Sequence, residues 1–269
     1  AIYGRRRVGK TFLVKELFEN RFAFRITGKD NVSTKEQLAS FSFALNDQLG
    51  IETDAANWTE AFRLLQKALE KMPEGIKIIF FDELPWFDTY ASHFISALEH
   101  FWNDWASYRN DIKLIACGSA TTWMLNQVIN SRGGLHNRTT HNILLSPFKL
   151  HEVEEYFRTQ GFYYERPEII ECYMAMGGVA YYLSLFENNK SVAQNIQQLC
   201  FTPGGELTEE FDRLFNSLFK KADNHLAIVT ALKNKGKGMT RLDLLDATGL
   251  ANNGRFSLIL KELEQCDFI

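Results

Sequence analysis

Gly4-Arg5-Arg6-Arg7-Val8-Gly9-Lys10-Thr11 follows the short apolar stretch Ala1-Ile2-Tyr3 and runs into Val8, Phe12, Leu13, Leu17 and Phe18, apolar residues at helical spacing. Strand, glycine-punctuated turn and helix, in that order, is the setting in which the pattern GxxxxGK[ST] cradles a phosphate chain. Gly4 and Gly9 permit backbone conformations and a close approach that a side chain would obstruct. Successive amide N–H groups, from Gly4 through Arg5, Arg6, Arg7 and Val8 to Thr11 and Phe12, can then surround a β-phosphate at a helix N-terminus. Lys10 is placed to bridge the β- and γ-phosphates, and Thr11 to offer its hydroxyl to magnesium. The bare pattern arises by chance in roughly one chain in a hundred of this length. The competing reading is a basic surface turn with the three arginines as a patch, but the flanking elements favour a phosphate loop with the arginines as filler.

Working outward, Phe22 to Ile26 forms a second short apolar run, and Thr34 to Leu49 and Trp58 to Lys71 carry amphipathic helical patterns. Pro73 and Gly75 punctuate the boundary before Ile76 to Phe81, a β-branched and aromatic run of the kind buried on both faces of a sheet. Helical spacing returns from Ser92 to Tyr108. Ile112 to Cys117 reads as another buried strand, and Asn142 to Leu145 as a last short one, stopped by Pro147. Alternating strands and helices predict an α/β fold with a parallel sheet.

Beyond Phe148 the strand signal fades, and Leu150 to Gln160, Pro167 to Met176 and Val179 to Phe186 read as short helices. A further helical unit begins near Asn224. Leu226 to Leu232 is apolar on one face, Gly236 and Gly238 make a turn, Thr240 caps a helix, and Gly249 turns the chain before Phe256, Ile259, Leu260 and Leu263. Three short helices followed by Phe268-Ile269 as the start of a strand predict a winged helix cut off before its wing. The expected domains are 1–148, a core whose first strand is truncated; 149–222, a helical domain; and 223–269, the truncated winged helix. The opening Ala1-Ile2-Tyr3 reads as the tail of a strand begun earlier, so a fragment is expected and an absent signal peptide carries no weight.

The 269 residues, 45% of them hydrophobic, can bury a sizeable core, while a formal charge of −3 gives no overall electrostatic footprint for nucleic acid or anionic membrane. Cys117, Cys172, Cys200 and Cys266 stand far apart, without CxxC pairs or histidines at metal-ligand spacing. They fit reduced, mostly buried thiols of a cytoplasmic protein. The longest apolar runs fall far short of the roughly 20 residues that span a bilayer, so no membrane partner is expected.

Two further elements carry chemistry. Asp82-Glu83 closes the buried run at a strand's carboxyl end, where ligands bind in open parallel sheets. There Asp82 would hold magnesium, largely through water, and Glu83 would orient and polarise the attacking water. The alternative is an ordinary acidic turn. Ser119, ending the strand at Gly118, is placed to sense the γ-phosphate or the attacking water. A hydrolase nucleophile is a rival, but Cys117-Gly118-Ser119-Ala120 lacks the second glycine of a nucleophile elbow, and a structural serine is the plainer alternative. Arg138 follows Gly133-Gly134, a position from which a guanidinium could reach the γ-phosphate in the same or a neighbouring subunit. An exposed arginine without a role competes equally. The six histidines form no HExxH or other metal cluster.

With these residues assembled, the chain resembles the archaeal-type ATPases, P-loop proteins related to the AAA+ and STAND ATPases. The likeness rests on Ile2 through Thr11, Phe81-Asp82-Glu83-Leu84-Pro85-Trp86, Cys117-Gly118-Ser119 through Arg138, and Gly177-Gly178-Val179-Ala180-Tyr181-Tyr182-Leu183. It implies an AAA+-like ATPase core, a small helical lid and a winged helix, with Asp82, Glu83 and Ser119 as metal, water and sensor residues. Family members usually carry proline where this chain has Ala180.

ATP with Mg2+ is the expected ligand, and slow hydrolysis driving a conformational switch is the expected function. The alternatives are an ATP-regulated DNA-binding module and a protein-interaction module acting on a protein partner or a second copy of the chain. From Asp223 to Ile269 six Lys/Arg face six Asp/Glu, a neutral balance for a segment whose presumed recognition helix offers Asn252, Asn253, Arg255 and Ser257 to DNA.

Overall fold

The computed structural model describes residues 1–130, 135, 138–219, 222–233, 235–266 and 268–269. Among them five strands form one parallel sheet in the order β2-β3-β4-β1-β5: β1 (Ile2–Tyr3), β2 (Phe24–Thr27), β3 (Lys77–Asp82), β4 (Ile112–Gly118) and β5 (Ile143–Leu144). Register decides what the sheet presents. Tyr3 pairs with Gly118, and Phe81 with Ala116, so the residues that follow β1, β3 and β4 leave the sheet at the same carboxyl edge.

The apolar run that predicts β3 is buried on both faces, and its two phenylalanines divide between them, as strand geometry requires. Phe80 joins Ile2, Val14 and Cys117 on one face. Phe81 joins a large aromatic cluster on the other, with Phe24, Phe41, Trp58, Phe62, Phe87 and Phe94. Most rings there meet edge-on or tilted, as for Trp58 and Phe94 at 4.9 Å between centroids, while Phe41–Phe81 and Phe87–Phe94 stack. Three helices supply that face: α2 (Thr34–Leu49), α3 (Trp58–Glu70) and α4 (Phe94–Asp104). Local signals fix their starts. Ser33 and Glu36 form a capping box on α2, and the Asn57 side chain accepts from Glu60 N on α3.

The opposite face takes α1 (Lys10–Leu17), which begins at the lysine of the phosphate-loop pattern. Its apolar residues were legible as a helix but not as a buried face. Val14 is 1% exposed, whereas Phe12 is 69% exposed and Leu17 is also exposed. After β4 come α5 (Thr121–Trp123) and one π-helical segment, Met124–Ile129.

The chain divides into two compact units, Ala1–Gly4 with Lys10–Leu145, and Arg5–Gly9 with Ser146–Ile269. The second contains helices and no strand among its described residues. α6 (Leu150–Thr159), α7 (Arg166–Met176), α8 (Ala180–Ser184) and α9 (Val192–Ile196) surround Val153, Phe157, Cys172 and Leu183. Between α7 and α8, Gly177 and Gly178 both adopt left-handed backbone. A Cβ on Gly178 would lie 2.0 Å from the Phe148 carbonyl oxygen, while Phe148 N donates to Gly178 O at 2.8 Å, so only glycine fits this turn.

α10 (Glu210–Leu218), α11 (Ala222–Lys233), α12 (Arg241–Thr248) and α13 (Gly254–Gln265) close around Phe215, Ile228, Phe256 and Leu263. Thr240 caps α12 as its sequence predicts. Phe268-Ile269, expected to begin a strand, does not: the Phe268 ring packs 4.6 Å from that of Phe215. No helix among the described residues is long and apolar enough to cross a membrane.

Candidate active site

The turn from β1 into α1 carries the conformations its glycines allow. Gly4 has φ 136° and Gly9 φ 100°, and a Cβ on Gly4 would fall 2.3 Å from the Leu145 carbonyl oxygen. Arg7 sits at φ 67°, left-handed backbone that costs a non-glycine residue about 1–3 kcal/mol. Lys10 is buried, and its ammonium donates to Gly4 O at 2.9 Å, across the turn that the two residues bound.

One residue on, the Thr11 hydroxyl donates to Asp82 Oδ2 at 2.7 Å. This contact joins the first residues of α1 to the end of β3 and sets a hydroxyl beside a buried carboxylate. Both are hard oxygen donors of the kind magnesium prefers, so this pair fits the ion that the sequence implies. Among the described residues no group of three or more His, Cys, Asp or Glu forms a metal cage.

Glu83 occupies left-handed backbone, φ 46° and ψ 50°, although it is neither glycine nor asparagine. Its own N–H donates to Asp82 Oδ1 at 3.1 Å. Its carboxylate is held from the neighbouring strand, because Ser119 N and Ser119 Oγ both donate to Glu83 Oε2, at 3.0 and 2.8 Å. The sequence assigned Glu83 and Ser119 separate roles; the structure bonds them to each other. Gly118, just before Ser119, leaves no room for a Cβ, which would lie 2.8 Å from Pro85 Cδ and 2.7 Å from Met124 Sδ. The Asp-Glu-Leu-Pro stretch is thus packed directly against the end of β4.

Ser119 Oγ is bonded to a carboxylate, and among the described residues no histidine hydrogen-bonds to it as the base of a Ser–His pair would. Cys117 is equally unsuited to nucleophilic attack. Burial first, and the Asp82 charge second, push its thiol up to about 12. Thr121, which sequence reasoning passed over, buries a hydroxyl with no hydrogen-bond partner among the described residues, two residues beyond Ser119.

Arg138 is not brought into this cluster. It is exposed, in a turn where its N–H donates to Leu135 O, and no described hydrogen bond or ion pair links it to Asp82, Glu83 or Ser119. Gly133-Gly134, the stretch that singled it out, lies outside the described residues. Phe12 presents its ring to solvent. Val8 is buried, and Arg5, Arg6 and Arg7 are half-buried within the second unit.

Comparison with known proteins bears on the family and the fold. A family described as an ATPase domain predominantly from Archaea matches residues 1–186. An uncharacterised protein of Methanocaldococcus jannaschii is 28% identical over 185 residues, which are 68% of this chain and 38% of that protein. The chain therefore spans well under half the length of this relative. Among solved structures, a Walker-type ATPase of Pyrococcus abyssi matches with a TM-score of 0.66 at 18% identity, over 98% of this chain and 83% of that one. The Orc1 protein of Aeropyrum pernix, solved in complex with DNA, matches at 0.51 and 13% identity, over 99% and 77%. At such identities these likenesses show the fold, a P-loop sheet of the AAA+ kind followed by helices. The chain belongs to the family of ATPase domains found predominantly in Archaea.

Proposed function

We propose that the chain binds ATP with magnesium on Gly4–Thr11, hydrolyses it slowly, and uses the nucleotide state as a conformational switch. Lys10 carries the β- and γ-phosphates, and Thr11 and Asp82 hold the metal. Bound there, magnesium would neutralise charge building on the phosphate oxygens. Glu83 would orient the attacking water, and Ser119, which donates to the Glu83 carboxylate, would sense the γ-phosphate or that water. Arg138 is kept as a residue that reaches the phosphate from its own or a neighbouring subunit. The proposed domains keep the division 1–148, 149–222 and 223–269, with α10 (Glu210–Leu218) packed on the third group around Phe215.

One observation carries the reading: two bonded pairs, Thr11–Asp82 and Ser119–Glu83, tie the phosphate-loop helix and two strand ends into one cluster. The Glu83 side chain is held by two donors of Ser119 while its backbone stays left-handed, which a plain acidic turn does not require. The direct test is Lys10→Ala, which is expected to abolish ATP binding in a calorimetric titration. Tight binding by that variant sinks the assignment of the loop.

A second reading, duplex DNA contact through the C-terminal helices, draws on the exposure of Arg255 and Ser257 in the first turn of α13. The neighbouring asparagines are already engaged, Asn252 by the Arg241 guanidinium and Asn253 as the cap of α13. Retention on duplex DNA at low salt tests it, and passage through the column removes DNA as a partner of this chain.

A further inference from the structure

The loop Arg5–Gly9 is tied within its unit by its arginines. Arg7 Nη1 lies 2.7 Å from Glu210 Oε2, and both side chains are largely buried. The guanidinium also lies over the Tyr181 ring, 4.4 Å from its centroid. The backbone is tied at the same residue, since Tyr181 N donates to Arg7 O at 3.2 Å. Glu210 is fixed in turn by Tyr182, whose hydroxyl donates to Glu210 Oε1 at 2.8 Å. One buried carboxylate thus uses one oxygen for the loop arginine and the other for a tyrosine of α8.

Such an arrangement needs a reason. A buried charge pair is poor value for stability alone, because desolvation offsets most of the attraction. The residue it holds is the one non-glycine position of the loop in left-handed backbone, and such strain persists only where surrounding contacts over-determine it.

We propose that Glu210 is a positioning residue for nucleotide binding: by fixing Arg7 it holds the phosphate loop in the conformation that receives ATP. The proposal rests on reading that loop as the ATP site. Glu210 touches no phosphate itself. It acts by removing the loop's freedom before the ligand arrives, so that binding does not have to supply the ordering. The loop arginine is thereby a structural anchor and not a phosphate ligand.

The test uses the purified chain and three variants, Glu210→Gln, Arg7→Gly and the pair together. Glu210→Gln keeps the shape and an acceptor for Tyr182 but removes the charge. Glycine at position 7 adopts left-handed backbone without strain and needs no anchor. Glu210→Gln alone is expected to weaken ATP binding roughly tenfold, the change to which ~1.4 kcal/mol corresponds. Turnover at saturating ATP should change far less, and amide exchange at residues 5–9 should quicken in the nucleotide-free chain. In the Arg7→Gly background, adding Glu210→Gln should change ATP affinity less than about twofold.

Circular dichroism separates these effects from misfolding, and if Glu210→Gln does not fold, Tyr182→Phe loosens the same carboxylate by a smaller change. Parent-like affinity and exchange in a folded Glu210→Gln, or losses that add in the double variant, overturn the proposal while leaving the ATP site intact. No ATP binding by the parent chain overturns the functional reading itself and this proposal with it.

Discussion

Replacing Ser119 with alanine tests the pairing that sequence alone did not reveal. The change removes the 2.8 Å bond from Ser119 Oγ to Glu83 Oε2 and leaves the 3.0 Å bond from Ser119 N to the same oxygen. A hydrogen bond to a charged group is worth about 1.5–3 kcal/mol. Ser119 is buried, so water does not readily take the hydroxyl's place, but Glu83 is only half-buried and keeps one donor. A loss of about 2 kcal/mol follows. In a unit of this size each kcal/mol moves the midpoint by roughly 2–4 °C, so the transition of the sheet-containing unit should fall by about 4–8 °C. Freed on one side, the carboxylate no longer points the attacking water, and turnover should drop about tenfold, equivalent to ~1.4 kcal/mol in the barrier, with ATP affinity little changed. Scanning calorimetry and phosphate release read the two effects. A folded Ser119→Ala protein that melts with the parent and turns over at its rate would refute the idea that this serine holds the catalytic carboxylate.

Two further outcomes follow from the geometry. Gly178→Ala forces a Cβ to within 2.0 Å of the Phe148 carbonyl oxygen at φ 69°, and should destabilise the helical unit by about 3 kcal/mol, read as a lower melting point; a parent-like melt contradicts the turn described. Burial pushes the Cys117 and Cys172 thiols up to about 12. At pH 8 both should stay almost wholly protonated, and a thiol-alkylating reagent should label the half-buried Cys200 first. Peptide mass spectrometry showing Cys117 modified first in the native protein contradicts its burial.

Much of the sheet could be read in advance because its strands are short apolar runs that stop at polar residues. Ile76 to Phe81 ends at Asp82-Glu83, and Ile112 to Cys117 ends at Gly118-Ser119, so strand and site announce themselves together. What brings those ends side by side is the order β3-β4-β1, a long-range fact that no local pattern encodes. The Ser119–Glu83 bond was therefore invisible, although both residues had been singled out.

Glu210 left even less trace. It stands far along the chain, in a helix with no strong start signal, and only the folded packing sets it against Arg7. The exposed Phe12 and Leu17 of α1 show the opposite failure, apolar residues at helical spacing that lie off the buried face carried by Val14. At the C-terminal end Phe268-Ile269 reads as the start of a strand, yet Phe268 packs into the helical core against Phe215.

The central claim is that Gly4–Thr11 binds ATP and that Glu83 directs its hydrolysis. Calorimetric titration of ATP with magnesium into the parent chain and its Glu83→Gln variant, with phosphate release followed in parallel, tests it most directly. The account predicts comparable binding by both and turnover by the parent alone; no binding by the parent, or equal turnover by the variant, contradicts it.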